Sequence, residues 1–267
     1  MAARPSGQTS FEPIASSDPL VLEELNANGV VRINNVIQDT RPLLAYVHTA
    51  LEQALAEAEN ELSMDFGGAS ASISRFGNVM ARTQRHDLKL DLTPLVKAAI
   101  AEMLESLGPV FSTTLGGDAE LYELAALISK PGAPGQPIHP DTPHRDGQGV
   151  AALTAFIALQ DIDRTMGPTL FVPGTQTAEA HATFNTKDDS GEAMTALLRS
   201  RPSWRGLLKA GDATLFDSRL LHCGCANESQ RWRVLFYASF RAKGATLPPG
   251  TLLYDLRGRH GLAELCS

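Results

Sequence analysis

The sequence predicts an α+β fold with a mainly β core, in which helices pack on one sheet of a barrel or sandwich. Two long Ala/Leu/Glu-rich segments with helical apolar spacing fill the first part of the chain. From about residue 118 the pattern changes to short apolar runs divided by Gly and Pro. Helices first and strands afterwards indicate segregated layers rather than alternating β-α units. The 267 residues, 43% of them hydrophobic, can bury a large core and fit one decorated barrel.

Residues 1–17 (MAARPSGQTSFEPIASS) lack an apolar signal-like stretch and read as a flexible leader before a single domain over 18–267. Asp18 to Asn28 has helical spacing, and Gly29 ends it. Val30 to Ile37 (VVRINNVI) reads as a first strand and Thr40 to Asn60 as a long helix. Leu62 to Val79 is rich in Gly and Ser and reads as a mobile loop, with Gly67, Gly68 and Gly77 making it the best lid candidate. Arg82, Arg85 and His86 follow. They could meet an anionic substrate, but solvated surface cations are the more ordinary reading. Thr93 to Leu107 is a second long helix.

Ala119 to Lys130 has a composition that also allows helix, but Pro131-Gly132 stops it and strand is preferred. Val150 to Leu159 (VAALTAFIAL) is a buried strand by its apolar run. Thr169 to Val172 is a short strand turned by Pro173-Gly174-Thr175, and Ala178 to Arg201 is a polar, partly helical excursion. Asp212 to Phe216, Leu220 to Cys223 and Trp232 to Phe240 complete a barrel core over about 118–241. The extension 242–267, with its LRGRHGL, could cover the barrel mouth or contact a second subunit.

A net charge of −7 and a pI near 5.5 exclude the basic stripe of a nucleic-acid surface. No run of 18 apolar residues exists, so no membrane span is expected. Three Cys are too few for a disulfide framework and fit a reducing, cytoplasmic location.

The chemistry concentrates in two segments. His139-Pro140-Asp141 and His144-Arg145-Asp146 stand close together, and His222 and Arg233 answer them downstream. Two His and one carboxylate form the facial set of a non-haem Fe(II) oxygenase, leaving the opposite face open for cosubstrate and O2. Side chains two apart in an extended segment share a face, so His139 and Asp141 can reach one ion. His222 must come from a neighbouring strand. The first triplet follows directly on a strand and its turn, the rigid support a ligand needs, and is preferred to the second. His144, Arg145 and Asp146 then lie at the pocket mouth, as substrate contacts or as solvated loop. Arg233 sits within an apolar strand, where an unpaired charge is costly, so an anionic partner such as a dicarboxylate is implied. His222-Cys223-Gly224-Cys225 has no second CxxC or HxxxH to complete a tetrahedral zinc site.

The runs PGAPGQPIHPD, ALQDIDRTMGPTLFVPGT, LFDSRLLHCGCANES and RWRVLFYASF resemble the phytanoyl-CoA dioxygenase-like family of Fe(II)/2-oxoglutarate oxygenases, over roughly Val30 to Arg241. The resemblance implies a double-stranded β-helix (jelly-roll, cupin-like) barrel. It implies His139, Asp141 and His222 as iron ligands and Arg233 as the anchor of the distal carboxylate of 2-oxoglutarate. Thr154 and Phe156 share a strand face and are expected near the cosubstrate, with Thr142 and Arg145 toward substrate. Two departures stand out: Gln176 follows the PGT turn where the family often has His, and Gly224 stands where some members have Ser. The carboxylate of Asp141 argues against the halogenating branch.

The activity implied is oxidation, most simply hydroxylation, of an unactivated C–H of a small molecule, with 2-oxoglutarate converted to succinate and CO2. The alternatives are a non-catalytic sensor or scaffold of the same fold, and a cupin-type metal enzyme that does not use 2-oxoglutarate. The sequence does not specify the substrate or the oligomeric state.

Overall fold

The computed structural model describes residues 12–63, 75–186 and 191–266. Its strands are β1 (Val30–Ile33), β2 (Arg85–Lys89), β3 (Glu120–Ser129), β4 (Ala152–Ala158), β5 (Thr169–Phe171), β6 (Trp204–Arg205), β7 (Ala213–Asp217), β8 (His222–Gly224) and β9 (Arg233–Arg241). Its helices are α1 (Leu20–Asn28), α2 (Arg41–Ser63), α3 (Pro94–Leu115), α4 (Ala178–Phe184), α5 (Glu192–Arg199) and α6 (Leu262–Leu265). A six-stranded sheet runs in the order β1-β7-β4-β9-β3-β2, and a three-stranded sheet in the order β6-β5-β8. All strand pairs within them are antiparallel.

Alternation along the large sheet divides the core in two. Val234, Phe236, Ala238 and Phe240 of β9 join Leu124, Ala126 and Ile128 of β3 in the layer under α2 and α3. Leu235 and Tyr237, with Ala125, Leu127 and Phe156, point the other way and meet Phe171 and Trp204 of the small sheet. Both faces of the large sheet are thus covered, which is why β4 and β9 read as unbroken apolar runs. This is the mixed α+β architecture expected, with a double-stranded β-helix at its centre.

Several boundaries differ from expectation. β1 stops at Ile33 because Asn35 takes a positive φ of 54° and the amides of Val36 and Ile37 turn to the carbonyl of Gly211. α3 begins on an N-cap, Thr93, whose side chain accepts from the Val96 amide, but it runs on past Gly108-Pro109. The extra turns bury Val110, Phe111 and Leu115, and the Phe111 ring packs 4.9 Å from Phe240. β8 begins at His222 because Asp217 to Leu220 is a tight turn, closed by the Leu220 amide on the Asp217 carbonyl. Neither β2 nor β6 was expected.

Part of the expected leader is tied down: Ile14 pairs with Ile33, its amide 2.9 Å from the Arg32 carbonyl. Residues 1–11 lie outside the described residues, as do Gly67 and Gly68 of the expected lid loop. Among the described residues no helix is long and apolar enough to cross a membrane.

Candidate active site

His139 and His222 face each other as a single antiparallel pair, each backbone amide donating to the other's carbonyl at 2.9 Å. His139 is therefore held by one bridge to β8 rather than within a strand of its own. Asp141 is placed separately, by its amide on the Ser218 carbonyl at 2.9 Å. The Asp141 Oδ1 lies 3.6 Å from His222 Nε2 and 3.9 Å from His139 Nε2. Among the described residues these three side chains form the group able to share a metal ion, their ligand atoms all within 4.8 Å of one another.

The remaining ring nitrogens are committed. His139 Nδ1 donates to the Pro137 carbonyl at 2.8 Å and His222 Nδ1 to the Leu220 carbonyl at 2.9 Å. Such contacts fix tautomer and ring orientation and leave both Nε2 lone pairs free for a metal. Burial lowers both imidazole pKa values, that of His222 to about 4, so both rings are neutral at pH 7. Asp141 lines a cavity with about 34% of its side chain exposed, and desolvation raises its carboxyl to about 6 against the lowering pull of His139. The second triplet does not join the group. Asp146 is exposed, and His144 turns to His181, its amide 3.2 Å from His181 Nδ1.

A basic pocket lies further along β8. Arg85, Ser129 and Arg233 stand in one row across β2, β3 and β9. Both guanidiniums reach Ser129 Oγ, from Arg85 Nε at 3.2 Å and Arg233 Nη2 at 3.1 Å. Arg233 is fully buried, and its Nε has no hydrogen-bond partner among the described residues. Desolvation, reinforced by the charge of Arg85, lowers the Arg233 pKa to about 9. A buried donor without an acceptor beside a second buried cation is what an absent carboxylate leaves behind. Arg85, expected to be a surface cation, is 1% exposed. Arg231, by contrast, is exposed and paired with Asp163.

A cavity of about 470 Å³ joins the three candidate ligands to the barrel interior. Thr154 and Phe156 line it, as their strand face implied. Thr142 and Arg145 do not. Thr142 is buried, its hydroxyl 2.6 Å from Ser218 Oγ, where it helps seat Asp141, and Arg145 is exposed on the loop beyond. Sequence reasoning missed Asp87, Glu123 and Tyr237, all cavity-lining; Pro248 to Thr251 and Arg257 of the C-terminal extension, expected to cover the barrel mouth or contact a second subunit, line one wall. The described end of the expected lid loop, Phe76 to Met80, also lines it. The Gly224 departure has a local cause: its amide donates to Gln136 Oε1 at 2.9 Å, and a Cβ there would come within 2.6 Å of that same oxygen.

A double-stranded β-helix with two His and one Asp converging at its mouth, and a buried Arg behind them, defines the class of Fe(II)/2-oxoglutarate oxygenases. The chain belongs to the phytanoyl-CoA dioxygenase (PhyH) family, whose model matches residues 25–235. Its fold is similar to that of the non-haem α-ketoglutarate-dependent carbocyclase SnoK from nogalamycin biosynthesis. Identity is 22%, the TM-score is 0.60, and 90% of this chain and 91% of that one are covered. The epimerase SnoN in complex with Fe3+, α-ketoglutarate and nogalamycin RO is 22% identical over 90% of each chain, with a TM-score of 0.53. HygX from Streptomyces hygroscopicus, solved with nickel, 2-oxoglutarate and hygromycin B, is 17% identical over 90% of this chain and 94% of its own, with a TM-score of 0.55. No curated protein sequence matches the chain.

Proposed function

We propose that the chain is a dioxygenase that oxidises, most simply hydroxylates, an unactivated C–H of a small molecule held in the 470 Å³ cavity, with succinate and CO2 as co-products. His139, Asp141 and His222 hold Fe(II), and Arg233 anchors the distal carboxylate of 2-oxoglutarate. The observation that carries this reading is the fully buried Arg233, whose Nε has no hydrogen-bond partner among the described residues, together with the ligand group of His139, Asp141 and His222. His222 and Gly224 are two strand positions apart, about 7 Å. A Cβ on Gly224 would lie 3.7 Å from Arg85 Nη2.

When bound, iron and 2-oxoglutarate supply the oxidising equivalent that removes a substrate hydrogen. The chain supplies placement. The carbonyls of Pro137 and Leu220 orient the two imidazoles, and Ser218 seats Asp141. Arg233, Arg85 and Ser129 fix the far end of the diacid by charge-assisted hydrogen bonds. Thr154 and Phe156 pack alongside it. The wall from Pro248 to Thr251 keeps bulk water from the reacting face. Three free cysteines suit a cytoplasmic enzyme.

The test is succinate release from 2-oxoglutarate by the purified chain with Fe(II) in air. Slow release without added substrate is expected, abolished by His139→Ala and weakened at least about a hundredfold in apparent 2-oxoglutarate affinity by Arg233→Ala. Iron binding with no succinate from the parent protein would favour the sensor or cupin alternatives.

A further inference from the structure

The cavity contains two carboxylates, Asp87 buried and Glu123 half-buried, that neither the metal group nor the basic pocket uses. Asp87 of β2 accepts from Tyr237 Oη at 2.8 Å and from Thr251 Oγ1 at 2.9 Å. Glu123 of β3 accepts from Ser239 Oγ at 2.7 Å and from the Thr251 amide at 3.1 Å. These donors, three hydroxyls and an amide, are all neutral. Each carboxylate oxygen takes one of them and retains a second acceptor direction. Both residues line the same cavity as His139, Asp141 and His222. Of the cations that share its wall, half-buried Lys89 pulls on the Asp87 charge, the weakest of the influences on that carboxyl, and Arg257 is exposed. Arg257 is turned to the carbonyls of Gly250 and Leu252.

Both carboxylates are desolvated and hydrogen-bonded only to neutral donors, and Lys89 attracts Asp87 only weakly, so they stay costly until a cation bonds them directly. A hydroxyl-bearing ligand could occupy the free acceptor directions but would leave the charge uncompensated. An ammonium group offers both the N–H donors and the charge. We propose that the substrate of this site carries a protonated amine, bound between Asp87 and Glu123 and so positioned beside the metal group. This rests on the oxygenase reading for what then happens to the substrate, and on the cavity alone for what binds.

The probes are cyclohexylammonium and its neutral analogue cyclohexanol, titrated into the full chain at about pH 8, where carboxylates are ionised, with ligand-observed NMR reporting saturable binding. The amine is expected to bind at least about tenfold more tightly than the alcohol. Asp87→Asn and Glu123→Gln should each bring that ratio toward one. Asp161→Asn, on the exposed surface and paired with Lys209, should leave it unchanged. Thermal melts identify any variant that fails to fold, and either cavity variant suffices for the conclusion. Equal binding of the two probes, no saturable binding of the amine, or a preference that survives in folded cavity variants overturns the proposal. Succinate release without amine preference sinks this inference alone. Amine preference without succinate release sinks the oxygenase reading and leaves the amine site standing.

Discussion

Replacing Arg233 by Met separates the cost of the basic pocket from its use. Burial and the neighbouring Arg85 lower the Arg233 pKa from 12.5 to about 9. A difference of that size corresponds to about 5 kcal/mol of unfavourable environment for the charged form at neutral pH, as an upper bound. Met removes that charge. It also removes bonds to the Gly167 carbonyl and to Ser129 Oγ, which keeps its contact from Arg85. Those losses cost about 1–3 kcal/mol. Met fills much of the vacated volume, so the metal-free, cosubstrate-free variant should be at least as stable as the parent, by about 1–3 kcal/mol. In a chain of this size that raises Tm by roughly 2–4 °C per kcal/mol. The response to 2-oxoglutarate should move oppositely. At a hundred times its Kd the cosubstrate stabilises the metal-loaded parent by about 2.7 kcal/mol and should leave the Met variant unmoved. Differential scanning calorimetry with and without 2-oxoglutarate reads both effects. A variant several kcal/mol less stable, as after ordinary core damage, would refute the view of Arg233 as an uncompensated cation. A variant stabilised by 2-oxoglutarate as strongly as the parent would refute its role as anchor.

Three further predictions concern stability. Burial raises the Asp87 carboxyl from 3.8 to about 6, so the folded state keeps its proton longer than the unfolded state and loses stability as pH rises through that window. Asp87→Asn should therefore gain on the parent by up to about 3 kcal/mol between pH 4 and pH 7, and urea titrations that show a constant difference would contradict this. Gly224→Ser should displace Gln136 from the β8 amide and cost about 1 kcal/mol, since the obstructing atom is the end of a flexible side chain. An unchanged urea midpoint would mean that this contact contributes nothing. Gly211→Ala should cost about 2 kcal/mol or more, because φ is +87° and the new Cβ would stand 2.0 Å from the Ile37 carbonyl oxygen, a backbone atom that cannot step aside. A neutral result there would show that the loop after β1 is softer than its hydrogen bonds imply.

The strands whose two faces are both covered were legible because burial on both sides writes a continuous apolar run, as in β4 and β9. The candidate ligands were legible because His-x-Asp, a distal His and an Arg eleven residues further on are few residues in a demanding order. β2 was not. Its sequence RHDLK looks like solvated surface, yet Arg85 and Asp87 face the barrel interior while Leu88 packs under the helices. Polar residues point inward there because the interior is a polar cavity, and local pattern cannot distinguish that from an outward face. The same ambiguity hid the burial of Arg85. Thr251 was invisible for another reason. Its two contacts, to Asp87 and Glu123, join residues 164 and 128 positions apart, which no local spacing encodes. Thr142, expected toward substrate from its place beside Asp141, does not line the cavity itself; its hydroxyl bonds Ser218 Oγ, and Ser218 does.

The central claim is that His139, Asp141 and His222 hold Fe(II) while Arg233 holds the cosubstrate. The most direct measurement is an anaerobic titration of the metal-free protein with Fe(II) and then 2-oxoglutarate, following the weak visible charge-transfer absorption of the chelate. The parent and Asp146→Ala should develop the band. His139→Ala, Asp141→Ala and His222→Ala should lose iron affinity, and Arg233→Ala should bind iron without forming the band at the same 2-oxoglutarate concentration. A band that survives Asp141→Ala but disappears with Asp146→Ala would contradict the choice of triplet. Iron binding by the parent with no band at all would contradict the assignment of 2-oxoglutarate.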